Sequence, residues 1–175
     1  MNQMLSILIA VVLLGIASLG INSLLIDKTR TMLEAEASLS AVSIAQTMID
    51  EIMRKSFDAA TATGTRVYDS TKFTAPNALG PSASEKSHVA AIDTVNASDR
   101  WFNDVDDYDL YKRISSTPVL GKFSVLDSVY YVTETDPDAR SGYQTNFKKV
   151  VITVTHPNMS YPLILSDVVV YRKYF

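Results

Sequence analysis

Residues 4–26 (MLSILIAVVLLGIASLGINSLLI) contain no charged side chain, and a helical apolar pattern continues beyond them to about Phe57. About 20 residues rising ~1.5 Å each span a hydrocarbon layer of roughly 30 Å. A cleaved secretory signal would need a basic start, a shorter apolar stretch and a small-residue cleavage site. Met1-Asn2-Gln3 has no Lys or Arg, and the run is too long. Asp27, Lys28 and Arg30 follow it, but with no charge before the run they orient a membrane span only weakly. A greasy helix that becomes a wet-faced helix without a break needs an apolar home for one end and a folded head for the other.

The wet-faced half has a clear period. Ala41, Ala45, Met48 and Ile52 recur at spacings of three and four, and Val42, Ile49 and Met53 widen the stripe. Asp50, Glu51, Arg54 and Lys55 lie opposite, and the pairs Asp50/Arg54 and Glu51/Lys55 have the favourable acid-before-base order four apart. Proline is absent before Pro76, and Gly64 suits the left-handed position that closes a helix. The pattern predicts a helix from Met1 to about Thr63, on the order of 90 Å long, half of which projects from any head this chain can build. Gly15, Gly20 and Asn22, with Ser23, interrupt the apolar half. They read either as close helix packing through small residues or as a segment able to unwind.

About 115 residues remain for the head, enough for one domain with a core. Residues 65–100 are rich in Ser, Thr, Ala and Asn and read as a surface excursion, with short strands near 65–68 and 88–94. Three strand signals follow at 128–134, 148–155 and 163–171, joined by turn-rich connectors around Pro137, Gly142 and Pro157. Short connectors imply an antiparallel meander. The expected fold class is α+β. It comprises an apolar helix (1–27), an amphipathic continuation (28–63) and a head (64–175), the head divided into loops (64–127) and sheet (128–175).

This layout resembles that of the type IV pilin superfamily, pseudopilins included. The local likeness lies in 43–53 (SIAQTMIDEIM), in the acidic 102–109 (FNDVDDYD) and in the strands 149–155 (KVVITVT) and 165–170 (LSDVVV). The resemblance implies a subunit held in the membrane before assembly, processed by a prepilin peptidase and polymerised by a pilus assembly machinery with a secretion-type ATPase. Two features depart from the pattern. No basic leader precedes Met1, so Met1 reads as the mature residue or processing differs. Leu5 also stands where bacterial major pilins carry Glu, which weakens a major-pilin reading without touching the filament reading.

On this reading the filament core consists of Leu5, Leu8, Val11, Val12, Leu14, Ile16, Leu19, Ile21, Leu24 and Leu25, packed against the same residues of sister subunits. The function expected is a structural subunit of an extracellular pilus-like filament on a prokaryotic cell surface, drawn from an inner-membrane pool. Two alternatives stand beside it: a minor pilin or pseudopilin of a pilus or secretion apparatus, and a single-pass membrane-anchored binding domain.

Other chemistry is sparse. Asp104, Asp106, Asp107 and Asp109 put four carboxylates close together, a density that suits Ca2+, though the spacing is not that of an EF-hand and a solvated acidic loop is the plainer reading. No other cofactor is indicated. The chain has no cysteine, hence no disulfide. His88 and His156 fall in no catalytic pattern, and no phosphate loop or nucleophile elbow is present, so an enzyme is not expected. A net charge of −3 with no basic run leaves no footprint for nucleic acid. Asn96 and Asn158 head glycosylation-type triplets, and Tyr130, Tyr131, Tyr171 and Tyr174 read as sheet packing.

Overall fold

The computed structural model describes residues 2–172. One helix, α1 (Asn2–Met53), runs through the apolar and amphipathic halves alike. At ~1.5 Å per residue its 52 residues extend on the order of 80 Å. Two short helices, α2 (Ala83–Lys86) and α3 (Ser98–Trp101), follow in the loop region, and then four strands: β1 (Lys112–Thr117), β2 (Gly121–Tyr131), β3 (Phe147–Thr155) and β4 (Leu163–Val170). The sheet is an antiparallel meander in the order β1-β2-β3-β4, with Lys112 opposite Leu126, Tyr131 opposite Lys148, and Phe147 opposite Val170. The α+β class and the helix-on-sheet layout are those the sequence leads one to expect.

The core forms where the amphipathic half of α1 lies on the sheet. Ala37, Ala41, Ala45, Met48 and Ile52 are buried against Phe123, Val125 and Val129 of β2 and Val150, Ile152 and Val154 of β3. Three alanines in succession keep the helix close to the sheet, and Met48 and Ile52 fill the wider space beyond. Burying a side chain of that size contributes roughly 1.5–3 kcal/mol. Val42 and Met53, expected to widen the stripe, stay exposed at its rim. A second cluster gathers Phe57, Val67, Phe73 and Tyr131 with the ring of Tyr171.

Several boundaries differ from expectation. The helix ends at Met53 instead of near Thr63. Ser56 leaves it to bridge with Asp104: the Ser56 N–H donates to the Asn103 carbonyl, and the Val105 N–H to the Ser56 carbonyl. Asp58 then caps a separate 3-10 turn, Ala59–Thr61, in a reciprocal box with Thr61. Gly64 does take a positive φ of 77°, but it follows that turn, not α1. No strand forms at 65–68 or 88–94, where Asp93 makes only an isolated bridge to Arg113. Strand β1 was not anticipated, and β2 begins at Gly121, whose φ of 81° closes the β1–β2 turn. Tyr174 lies outside the described residues.

Candidate functional site

The first candidate is the bare half of α1. Residues 3–33 are all exposed. The ten expected core residues range from 53% exposed at Val12 to 73% at Leu19. Within Gln3–Met53 lies a stretch long and apolar enough to cross a membrane, none of it buried in the fold. It is apolar on every face, so a single covering surface would not satisfy it. The helix passes unbroken through Gly15, Gly20 and Asn22, and open space surrounds both glycines. Where this half meets the head, Glu34 accepts the Ser160 N–H at 3.2 Å, and the Ser160 hydrogen bonding holds its carboxyl below the usual range. A groove of about 520 Å³ opens there between Leu25, Arg30 and Leu33 of α1 and the Pro157–Ser160 turn.

The second candidate is the acidic segment, whose carboxylates are engaged within the fold. Asp104 Oδ1 accepts the N–H groups of Asp106 and Asp107, and Asp107 Oδ2 accepts those of Asn103 and Asp104. Asp109 turns away to accept the Val129 N–H at 3.0 Å. Asp106 Oδ1 meets Lys148 Nζ at 2.7 Å. Among the described residues no group of three or more carboxylates and imidazoles is arranged to hold a metal ion. Burial pushes the Asp104 carboxyl up to about 9, reinforced by Asp106 and Asp107 beside it. Burial also pushes Asp107 up to about 6, with the Glu85 charge adding to it against two backbone donors.

Two buried charge networks fasten the end of α1 to the sheet. In one, Lys148 of β3 is fully buried. Its Nζ donates to the Phe57 carbonyl at 2.7 Å, to Asp58 Oδ2 at 3.0 Å and to Asp106 Oδ1 at 2.7 Å. The rings of Phe57 and Tyr131 stand 4.6 and 5.1 Å from that nitrogen. Burial opposes ionisation of Asp58, but the Lys148 charge and the Ala60 and Thr74 N–H donors outweigh it and lower its pKa. In the other, Arg113 Nη2 of β1 spans both oxygens of Glu51 at 2.8 and 2.7 Å, and Tyr108 and Ser98 donate to the same carboxylate at 2.8 Å each. The expected surface pair Glu51/Lys55 is therefore not made: Glu51 turns inward, while Arg54 and Lys55 reach the side chain and carbonyl of Asp99.

Beside this second network sits Asp127, fully buried on β2, with neither oxygen hydrogen-bonded. Burial raises its pKa well above the ordinary carboxylate value, the nearby Glu51 charge adding to the effect and Arg113 opposing it.

The histidines serve packing. His88 stacks on Trp101 at 3.7 Å and His156 on Phe123 at 4.3 Å. Ser98, the hydroxyl of the Asn96 triplet, is buried in the Glu51 network.

Sequence reasoning passed over Lys148, Asp58, Arg113 and Asp127. A signal for two of them was present. Lys148 shares the parity of Val150, Ile152 and Val154, and Asp127 that of Val125 and Val129, so each lies on the inward face of its strand.

Together these features define an α+β protein whose N-terminal helix projects from the head and is long and apolar enough to cross a membrane. Compared with protein-family models, with curated proteins and with solved structures, the chain finds no match in any of the three.

Proposed function

We propose that this chain is the repeating subunit of an extracellular pilus-like filament, with residues 1 to about 30 in the filament core and the head on the surface. The observation that carries the reading is the bare half of α1, apolar on all sides and rigidly continuous with the helix half anchored in the head. Ten large apolar side chains at roughly 1.5–3 kcal/mol each represent on the order of 15–30 kcal/mol against exposure to water. Lipid answers that demand before assembly, and sister helices answer it afterwards. Because lipid is already apolar, transfer between the two gains little by itself. Assembly therefore calls for a motor, as the likeness to type IV pilins implies, together with a prepilin peptidase. Identical subunits in head-to-tail contact give an open helical array when the rotation between them does not close.

The test is Val11→Asp with Leu14→Asp, examined by electron microscopy of sheared cell-surface material. Filaments from the native chain and none from the variant, with the head still folded, are expected. Filaments that survive the double change sink the core assignment. Native material found only as discrete particles around a lipid- or detergent-bound helix favours the single-span anchored domain. Short tips or periplasmic stubs in place of long filaments favour a minor pilin or pseudopilin.

A further inference from the structure

The Lys148 centre holds the parts of a self-condensing pair. We propose that Lys148 Nζ attacks Asp106 Cγ and that the two side chains become joined by an amide bond with loss of one water. The amine is completely buried, 2.7 Å from Asp106 Oδ1, and walled by the rings of Phe57 and Tyr131. A nucleophile held at hydrogen-bond distance from the carboxyl it attacks needs no encounter step, and a dry site disfavours the reverse hydrolysis.

The two neighbouring carboxylates divide the roles. Asp58 already accepts from the Ala60 and Thr74 N–H groups and the Tyr131 hydroxyl, which fixes it as an acceptor beside Nζ at 3.0 Å. Asp106 instead meets Lys148 through Oδ1, and its own backbone N–H donates to Asp104 Oδ1 at 2.9 Å, which sets that carboxyl beside it. Asp106 is thus the acyl donor, Asp58 takes a proton from the ammonium, and Asp104 delivers one to the departing oxygen.

The balance closes without oxidant or cofactor. The ammonium carries three protons, the amide keeps one, and two leave with one Asp106 oxygen as water. Asp58 passes its proton on to that oxygen, and the second proton shed by the nitrogen replaces the one Asp104 gave, so both carboxyls end in the protonation states in which they began. In a chain with no cysteine, the bond would tie the segment after α3 to the middle of the sheet covalently.

Tandem mass spectrometry of a tryptic digest of the full chain, purified in detergent, tests this directly. A branched peptide is expected, one water lighter than its two parts, joining the segment containing Asp106 to the segment containing Lys148, with no cleavage after Lys148. Lys148→Arg should abolish it, and Asp104→Ala should slow its appearance in freshly made protein at least tenfold. Linear, unmodified peptides covering both residues in the native chain overturn the proposal. So does a branch point at Asp58, or dehydration of Asp106 with no branch. An unchanged rate in Asp104→Ala overturns the role given to Asp104.

Discussion

Replacing Asp127 by Val should make the head more stable, against the usual direction of core substitutions. The side chain is fully buried, and neither carboxylate oxygen finds a donor. Leaving a buried polar group unsatisfied costs about 1–3 kcal/mol, and more if it is charged. Valine fills nearly the same space on a strand, where its branched side chain packs well. A gain of about 1–3 kcal/mol at neutral pH corresponds to roughly 2–12 °C in Tm for a chain of this size. The pH dependence gives a sharper check. With its folded pKa raised, Asp127 favours folding fully below the ordinary value of about 3.9, and this contribution is lost as pH rises towards the folded pKa. The advantage of Val should therefore be small near pH 3 and widen with pH, by at most about 1.4 kcal/mol per unit. Arg113 and Glu51, the charges that face Asp127, are present in both proteins, so the difference curve isolates the one carboxyl. Thermal melts of the full chain in detergent, followed by circular dichroism across a pH series, supply the curve. A Val variant that melts below the native chain at pH 7, or a gap that does not change with pH, refutes the reasoning.

Arg113→Met leaves Glu51 buried without its cation and should cost about 3–5 kcal/mol, read as a lower urea midpoint. Ala41→Leu forces extra methylenes between α1 and the sheet, and a loss of about 1–3 kcal/mol should appear in the same melts. Gly121→Val places a branched residue at φ 81° in the β1–β2 turn. It should destabilise by about 1–3 kcal/mol, whereas Lys122→Thr, one residue on and exposed, should change stability by less than about 0.5 kcal/mol.

The helix-on-sheet layout was readable because it rests on periodicity. The Ala41, Ala45, Met48, Ile52 stripe and the Val150, Ile152, Val154 alternation each name a face, and the two faces meet. What escaped was set by partners distant in sequence. Gly64 looked like a helix terminator, yet the chain leaves α1 ten residues earlier because Ser56 gains a backbone partner at Asp104. Glu51 looked like a surface acid because Lys55 stands four residues on, yet Arg113, 62 residues away, draws it inward. β1 was obscured because Arg113 occupies an inward position where an apolar residue would mark a strand. The acidic segment read as ligands or as solvated charge. Asp104, Asp106 and Asp107 are buried, not solvated, and serve backbone donors and a lysine whose position in β3 only the fold reveals.

The two buried networks bear on how such a subunit would carry load. α1 has no break between its bare half and Met53, so force on the bare half travels along its hydrogen bonds into the head. It arrives where Glu51 is clamped to Arg113 of β1 and where Asp58, just past the helix end, is held by Lys148 of β3. Those contacts lie on different strands, so the load spreads over the sheet instead of peeling one edge from it. Surface ion pairs would not serve, since solvent and salt weaken them to roughly 0–1 kcal/mol. The Glu51–Arg113 pair, closed off by Tyr108, is screened far less, and removing either partner strands a buried charge, while at Lys148 the proposed amide would hold independently of charge. In a fold without disulfides, the proposed filament would then depend on these two points to keep core and head in one orientation. Increasing salt from 0.05 to 1 M should accordingly leave the urea midpoint of the head undiminished, measured on the full chain in detergent. A steep fall with salt would show that solvent reaches the networks, and that load passes through packing alone.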